Sequence, residues 1–582
     1  MSKNTQLNWP ETNTRSLCRE LQSGIAREYK QQRLVLLWGL IFLGYFLFVV
    51  QWYSISNFTG SINADPSLST GWGAAFYDGS TPNALISGAT NWVITLGRAF
   101  GSIMAGWLIA KVGHKYAVTT VLGLMVLSFP FLIVSQNAEW NSLSLVGGAQ
   151  ANQDNIAVTG FSLFVVFRIF LAIGGTTLIT YTNSVIARMD ASERPKYLVA
   201  NQFGFNGGAF FANIFFVIPG VAAAVTGNTA VWTGILAGFI CLTFILLILY
   251  VMYGIEVVPR ENKKVLAQAE SQVTFGKVFK QSDTWKLACI FAVWLISVVF
   301  INSSTMRTFI EQSPANFRAL VVDNVMFGTA DKIATSMAGS HSYFWVWPAF
   351  TCAFVAGYLI GVFWLATFGK TIFNRKSYTY TLFALGYVFM MISLLSGYFG
   401  GYDNAIALAA MLIFITLSGS CLWSIQAVLL TIPQQMEGSN PKYMGIIAGL
   451  IWGIGYFGYT IGEASLGTIT SYVNPFAFSS HIKDSVNAIG AGLNLSYDTA
   501  QEEFLKLSPE LIKAYEAPGT IIMIVLYWLI LIIIFPLIYL LPTCGYYKAN
   551  GEFVEFSEKW NPFKLSMWNI TNSEFQIKNY LS

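Results

Sequence analysis

Twelve apolar segments, each long enough to cross a lipid bilayer, dominate this amino-acid sequence. A helix needs about 20 such residues to span the hydrocarbon core. Backbone polar groups find no water there, so spanning segments of this length are predicted to be helices. The segments cover residues 34–52, 84–109, 117–135, 159–181, 198–219, 231–253, 286–309, 343–366, 378–398, 405–432, 444–470 and 518–541. The sequence therefore predicts an all-α integral membrane protein with twelve transmembrane helices.

The composition agrees with this class. Of the 582 residues, 54% are hydrophobic and only 11% are charged, whereas soluble domains carry about 25% charged residues. The net charge of +4 is too small to predict a nucleic-acid partner, and the lipid bilayer is the expected surrounding. The first apolar segment is long enough to span, so we expect no cleavable signal peptide.

The lysines and arginines predict the orientation in the membrane. With the N-terminus inside, 25 of the 33 Lys and Arg residues fall on the cytoplasmic side, five fall outside and three lie within segments. Basic residues concentrate in cytoplasmic loops. We therefore expect a multi-pass protein of the cell membrane with both termini in the cytoplasm.

A polar stretch in the middle divides the chain into two pseudo-symmetric halves. We expect a cytoplasmic N-terminal tail (1–33), a six-helix half (34–253), a central cytoplasmic loop (254–285), a second six-helix half (286–541) and a cytoplasmic C-terminal tail (542–582). Two such halves that meet at a midplane site are typical of secondary transporters.

A short basic turn joins the second and third segments. It reads Gly106-Trp-Leu-Ile-Ala110-Lys111-Val-Gly113-His114-Lys115. Gly106 lets a neighbouring helix approach closely, and Gly113 can take the left-handed conformation that ends a helix. The three basic residues that follow or flank Gly113 are expected in a cytoplasmic loop. The run resembles the motif between helices two and three of the major facilitator superfamily, although Ala110 stands where that family has Asp.

A second resemblance lies in the fourth segment, which contains Arg168-Ile-Phe-Leu-Ala172-Ile-Gly174-Gly175. The same family has an Arg there, followed by glycines four and six residues on, and Ala172 and Gly174 occupy those positions here. With the twelve segments and the central division, the chain is identified as a member of the major facilitator superfamily over residues 34–541. A resemblance to its organophosphate antiporters is weaker, and the branch stays open.

Two arginines within apolar segments are the main candidates for substrate binding. Arg98 lies one position from a stripe of small residues, Gly97, Gly101 and Ala105, and Arg168 lies in the fourth segment. A charge at membrane depth is costly and generally faces a cavity or a partner. A guanidinium binds phosphate or carboxylate through paired hydrogen bonds. For each arginine the alternative is a structural role, in which the side chain holds helices together.

Further candidates come from the resemblance, because helices one, four, seven and ten of the family line its central cavity. This adds Tyr45, Asn302, Trp423 and Gln426 to Arg168 as candidate lining residues. Ordinary hydrogen bonds between helices would also explain each of these side chains.

Arg307 and Glu463 lie near the outer ends of the seventh and eleventh segments. Two arrangements fit them: a salt bridge that gates the outer mouth, or separate side chains that each reach water. No other carboxylate stands out within the segments. This scarcity favours exchange or facilitated diffusion over proton symport.

Motifs for catalysis, metal binding or cofactor binding are not evident. The three histidines lie outside the segments, and the sequence contains no HExxH, GxSxG or Walker lysine motif. The six cysteines form no CxxC pair. We therefore expect no enzyme activity, no metal and no cofactor.

These features predict a monomeric secondary active or facilitative transporter that works by alternating access. Its expected partners are a small-molecule substrate and, if it exchanges, a counter-transported anion. Arg98 and Arg168 favour an organic anion such as a sugar phosphate. Two alternatives stay open: a neutral sugar or other polar solute as the substrate, and a non-transporting membrane sensor or receptor on the same fold.

Overall fold

The computed structural model of the protein consists of long helices that pack side by side. The residues it describes are 31–59, 71–76, 88–130, 158–186, 194–218, 220–257, 282–299, 345–368, 375–402, 404–435, 444–473, 545–547 and 553–555, with a few single positions between them.

These residues form eleven long helices, and all correspond to predicted segments. They are α1 (Gln31–Asn57), α2 (Ala89–Val112), α3 (His114–Val126), α4 (Val158–Ile186), α5 (Arg194–Ile214), α6 (Thr229–Tyr253), α7 (Ser282–Val299), α8 (Val346–Phe368), α9 (Arg375–Gly400), α10 (Ala405–Gln435) and α11 (Met444–Val473). Seven of the described helices meet a strict test of length and hydropathy for crossing a membrane. The predicted twelfth segment, 518–541, lies almost entirely outside the described residues.

The bounds of α3 differ from the prediction at both ends. The helix begins at His114 rather than at about Ala117, and it ends at Val126 rather than near 135. Its early end has a local cause in Pro130, which has no N–H to donate to the carbonyl of Val126 four residues before it.

The C-terminal tail contains a feature that the hydrophobic pattern does not predict. A small antiparallel hairpin pairs β1 (Gly545–Tyr547) with β2 (Phe553–Glu555), and Tyr546 lies opposite Val554. The rest of the predicted C-terminal tail, like most of the N-terminal tail and the central loop, lies outside the described residues.

The helices pack both within and between two groups, α1–α6 and α7–α11, which are called the first half and the second half below. In the first half α4 packs against α1, α2 and α3, while α1 also packs against α5. In the second half α10 packs against α8 and α9, and α7 packs against α11. The main pairs that cross between the halves are α2 with α11 and α5 with α8.

Glycines bring α11 unusually close to α2. A Cβ atom on Gly453 would lie 2.6 Å from the side chain of Ile103, and one on Gly449 would lie 2.9 Å from the carbonyl oxygen of Ser102. Any larger residue would push the helices apart, as in other close helix contacts within membranes. The two halves are therefore in direct contact beside Arg98.

Candidate substrate site

The direction of the Arg98 side chain is set by the glycines that flank it. A Cβ on Gly97 would lie 2.7 Å from the Cβ of Ala172, and one on Gly101 would lie 3.0 Å from the carbonyl oxygen of Ile173. This face of α2 is thus pressed against α4, as the stripe of small residues predicts. Arg98 points away from α4 and reaches side chains of α1, α5 and α11.

Arg98 is fully buried within a cage of aromatic rings. Its Cζ atom lies 4.2 Å from the ring centroid of Tyr456 and 4.8 Å from that of Trp52. Phe48 and Phe205 each lie 5.5 Å away. A cation over an aromatic face gains about 0.5–2 kcal/mol, so the cage offsets part of the cost of burying the charge.

The hydrogen-bonding capacity of Arg98 is mostly unused. Nη2 donates to the Tyr45 hydroxyl at 3.2 Å. Nε and Nη1 are buried, and neither has a hydrogen-bond partner among the described residues. An unmet donor in such a place costs roughly 1–3 kcal/mol. The cage therefore surrounds a cation with aromatic rings and one hydroxyl group, and leaves two of its nitrogens without an acceptor among the described residues.

Trp423, one of the predicted lining residues, lies beside this cage. Its ring contacts Phe205 at 5.4 Å and Trp294 at 5.7 Å, so Phe205 touches both Arg98 and Trp423. The indole N–H of Trp423 is buried without a partner among the described residues. Gln426 is buried three positions further along α10.

Arg168 is also buried, but its surroundings differ. Its Nε and Nη2 both donate to the carbonyl oxygen of Thr90 at 3.3 Å, which ties α4 to the first turn of α2. Its Cζ lies 5.9 Å from the ring of Phe164. None of the residues that surround Arg98 is among these partners. The structure therefore places the two predicted arginines in separate environments.

The basic turn is shorter than the predicted loop, because Lys111 lies in the last turn of α2 and Lys115 lies in the first turn of α3. Gly113 joins α2 to α3 with φ +85° and ψ 165°, so φ is positive as predicted but the backbone is extended rather than left-handed helical. Lys111 is exposed and lies over the ring of Trp107 at 4.6 Å. Lys115 is half-buried, and Gly106 is half-buried in the last turns of α2.

His114 does not lie in a loop, contrary to the prediction. It is the first residue of α3 and is fully buried, with its ring nitrogens 3.3 Å from the Tyr181 carbonyl oxygen and the Tyr250 hydroxyl. The Glu256 carboxylate accepts from the backbone N–H groups of His114 and Lys115. An acid at a helix N-terminus stabilises the first turn, which explains the early start of α3.

Glu463 does not reach water, which corrects one of the two arrangements predicted for it. Only 3% of its side chain is exposed, and its Oε1 accepts from Nδ2 of Asn91 on α2 at 2.5 Å. The predicted partner Arg307 lies outside the described residues, as does the candidate lining residue Asn302.

Some of the site residues leave a signal in the sequence and others leave none. Phe48 follows Tyr45 by three positions and Trp52 follows Phe48 by four, which places the three residues on one face of α1. That spacing could have identified the α1 wall of the cage. Phe205 and Tyr456 lie at the site only because α5 and α11 pack there, and the local sequence does not predict that packing.

Comparisons with known proteins agree on the family. The model of the Mycoplasma MFS transporter family matches residues 164–471. A major facilitator superfamily transporter of Mycoplasma pneumoniae is 28% identical, over 73% of this chain and 84% of its own length. Another, from Mycoplasma genitalium, is 25% identical, over 94% of this chain and 97% of its own.

Solved structures of similar shape include two transporters. A bacterial homologue of the human lysosomal transporter Spinster aligns over 88% of this chain and 98% of its own, with a TM-score of 0.47 and 11% identity. A D-xylose–proton symporter aligns over 75% of this chain and 89% of its own, with a TM-score of 0.42 and 16% identity.

The match to the family model covers more than half of this chain, and the described helices are those of a multi-pass membrane protein. The chain belongs to the Mycoplasma MFS transporter family of the major facilitator superfamily.

Proposed function

We propose that this transporter carries a small organic anion, such as a sugar phosphate, and that Arg98 binds its negative group. The observation that carries the proposal is the buried guanidinium with Nε and Nη1 unpaired among the described residues. A carboxylate or phosphate would supply the missing acceptors and the missing negative charge at once. The free donors and the aromatic cage are features expected of an anion-binding site.

The position of Arg98 suits alternating access. Its cage takes Trp52 and Phe205 from the first half and Tyr456 from the second half. An anion at Arg98 would touch both halves, so its binding energy would depend on how the halves are arranged. Separation of α2 from α11 would open the cage to one side of the membrane. The substrate therefore binds where movement of the halves controls access.

The organic part of the substrate would lie toward Trp423. Phe205 and Trp423 form a continuous aromatic wall beside the guanidinium, and the unpaired indole N–H adds one donor. Such a wall suits a sugar ring or a short carbon chain, which presents both apolar faces and hydroxyl groups. A neutral solute would use the wall and leave Arg98 unpaired, and this is the competing outcome of the test.

The test is uptake of labelled metabolites into proteoliposomes, with and without phosphate inside. The panel would include sugar phosphates, dicarboxylates and neutral sugars, and the variants are Arg98→Gln, Arg98→Lys and the control Arg168→Gln. We expect the native protein to take up an anion, and we expect Arg98→Gln to abolish that uptake. Arg98→Lys should retain part of the uptake, and Arg168→Gln should retain native uptake per folded molecule. Uptake of a neutral sugar that survives Arg98→Gln would contradict the proposal.

We further propose that the protein lies in the cell membrane as a monomer, with both termini in the cytoplasm and no enzyme activity. The excess of basic residues on one side supports the orientation. Epitope tags at both ends would react with antibody only after the cells are permeabilised. Reaction of either tag on intact spheroplasts would contradict the orientation.

A further inference from the structure

The contact between α2 and α11 contains a ladder of polar pairs, which we call the α2–α11 seam. From one end to the other it consists of Asn91 with Glu463, Thr95 with Thr460, and Arg98 with Tyr456. The hydroxyls of Thr95 and Thr460 lie 2.8 Å apart. The successive pairs lie about one turn apart on both helices. The seam thus joins a buried acid to the proposed anion site across the boundary between the halves.

Glu463 is buried as an acid without a basic partner among the described residues. Its Oε1 accepts from Asn91, and its Oε2 has no hydrogen-bond partner within the described part of the chain. Among the described residues, the phenol of Tyr459 interacts directly with the Glu463 carboxyl group and lies 3.5 Å from Nδ2 of the same Asn91 amide. Tyr53 interacts in turn with Tyr459. A buried carboxylate with no cation beside it among the described residues is strongly penalised, and taking up a proton removes the penalty.

The orientation of the Asn91 amide is fixed by a third residue. The indole N–H of Trp52 can only donate, and it donates to Oδ1 of Asn91 at 2.7 Å. The amide must therefore turn its NH₂ group toward Glu463 and Tyr459. A metal cation needs several oxygen ligands around it, but here an N–H group points at the carboxylate. The chemistry of the pocket therefore favours a proton over a metal ion.

Trp52 also connects the acid to Arg98. Its ring lies 4.8 Å from the Arg98 guanidinium while its N–H holds Asn91. A movement of Trp52 that admits a ligand to Arg98 would disturb the Asn91 amide, and with it the hydrogen bond to Glu463. One side chain on α1 thus contacts both ends of the seam.

We propose that Glu463 is a proton-binding site whose occupancy is coupled, through Trp52 and Asn91, to anion binding at Arg98. Oε2 takes a proton from water on the side to which the seam opens, forming an O–H bond, and releases it to water on the other side. The proton moves with the anion and cancels one of its charges. The proton site stands on geometry alone, whereas the coupling rests on the proposed function. This proposal replaces the expectation of exchange or facilitated diffusion.

The proton site is tested without any substrate, by infrared difference spectroscopy of the full chain in liposomes as the pH is changed. We expect a band from a protonated, buried carboxyl group that disappears in Glu463→Gln and shifts in Glu463→Asp. Glu256→Gln is the matched control, since Glu256 lies after the end of α6. If the native and Glu463→Gln spectra show the same carboxyl bands at every pH, the proposal of a proton site at Glu463 is overturned.

The coupling is tested with a pH-sensitive dye inside proteoliposomes, using whichever labelled anion the uptake panel identifies. We expect the anion to acidify the interior, and uptake to rise by up to about tenfold for each unit by which the external pH falls. In Glu463→Gln, uptake should be independent of pH, while exchange of internal for external anion persists. Unchanged acidification in that variant would overturn the coupling. Failure of every anion would overturn the proposed function and the coupling together, and the infrared result would still decide the proton site.

Discussion

Arg98 and Arg168 have the same residue type and the same burial, yet their surroundings make them different groups. Arg98 gives one hydrogen bond, to Tyr45, and its Nε and Nη1 are unpaired among the described residues. Arg168 directs Nε and Nη2 to one carbonyl oxygen, that of Thr90, and only its Nη1 is unpaired among the described residues. Arg98 lies where the two halves meet, whereas the partners of Arg168, Thr90 and Phe164, both belong to the first half. The difference is that Arg168 is anchored to the backbone of α2, whereas Arg98 has no backbone partner among the described residues and lies between helices of both halves.

The two environments have a common mechanical origin. Close packing at Gly97 and Gly101 leaves α4 no room to face Arg98, and turns that side chain toward α11. Arg168 comes from α4 itself and reaches the first turn of α2. The first half thus uses one arginine to hold α2 in place and leaves the other free to face the second half.

The largest expected effect is that of Arg98→Gln. The variant removes the charge and the paired donors, and the loss of about 3 kcal/mol of anion binding corresponds to roughly a 100-fold weaker apparent affinity. Arg98→Lys keeps the charge but loses the planar fork, so its effect should be intermediate. Concentration-dependent uptake measures both. Equal affinity in the native chain and in Arg98→Gln would show that Arg98 does not bind the anion.

Arg168→Gln is expected to affect stability rather than substrate affinity. Glutamine is too short to keep both hydrogen bonds to Thr90, and their loss costs roughly 1–3 kcal/mol. The apparent Tm in detergent should fall, while uptake per folded molecule stays within about twofold of native. A large loss of affinity at unchanged Tm would show that the two arginines share one role.

Gly97→Ala should disturb the surroundings of both Arg98 and Arg168. Its new methyl group would meet Ala172 and push α2 away from α4, at a cost of about 1–3 kcal/mol for overpacking. We expect a lower Tm together with a modest loss of uptake, because Arg98 moves with α2. Gly123→Ala is the control, since a Cβ there meets nothing within 4 Å. If both substitutions behave alike, the glycine contact does not position Arg98.

Tyr45→Phe should have the smallest effect. It removes the acceptor for Nη2 and leaves the ring in place, so the guanidinium is less well oriented. We expect an affinity about fivefold weaker, which is about 1 kcal/mol. Tyr181→Phe is the control, because that buried hydroxyl donates to the Ala105 carbonyl oxygen away from the cage. An equal effect of both substitutions would remove Tyr45 from the site.

The helices could be predicted from the sequence because each depends on its own apolar composition. Eleven predicted segments correspond to described helices, since spanning a bilayer leaves a local mark in the chain. The start of α3 could not be predicted, because it depends on the carboxylate of Glu256, more than a hundred positions away. Long-range caps leave no periodic signal.

The site was predictable only in part, for the same reason. Arg98 stood out as a charge in an apolar segment, one position from the stripe of small residues that packs against α4. Its ring partner Tyr456 and the acid Glu463 could not be assigned, because they depend on the register between α2 and α11. Local spacing does not determine how two distant helices are aligned.

The most direct test of the central claim is equilibrium binding of a labelled sugar phosphate to purified protein, compared between the native chain, Arg98→Gln and Arg168→Gln. Binding needs no gradient and no counter-anion, so it isolates the role of each arginine. We expect saturable binding that Arg98→Gln weakens by about 100-fold and that Arg168→Gln leaves nearly unchanged. Native affinity in Arg98→Gln, or equal losses in both variants, would contradict it.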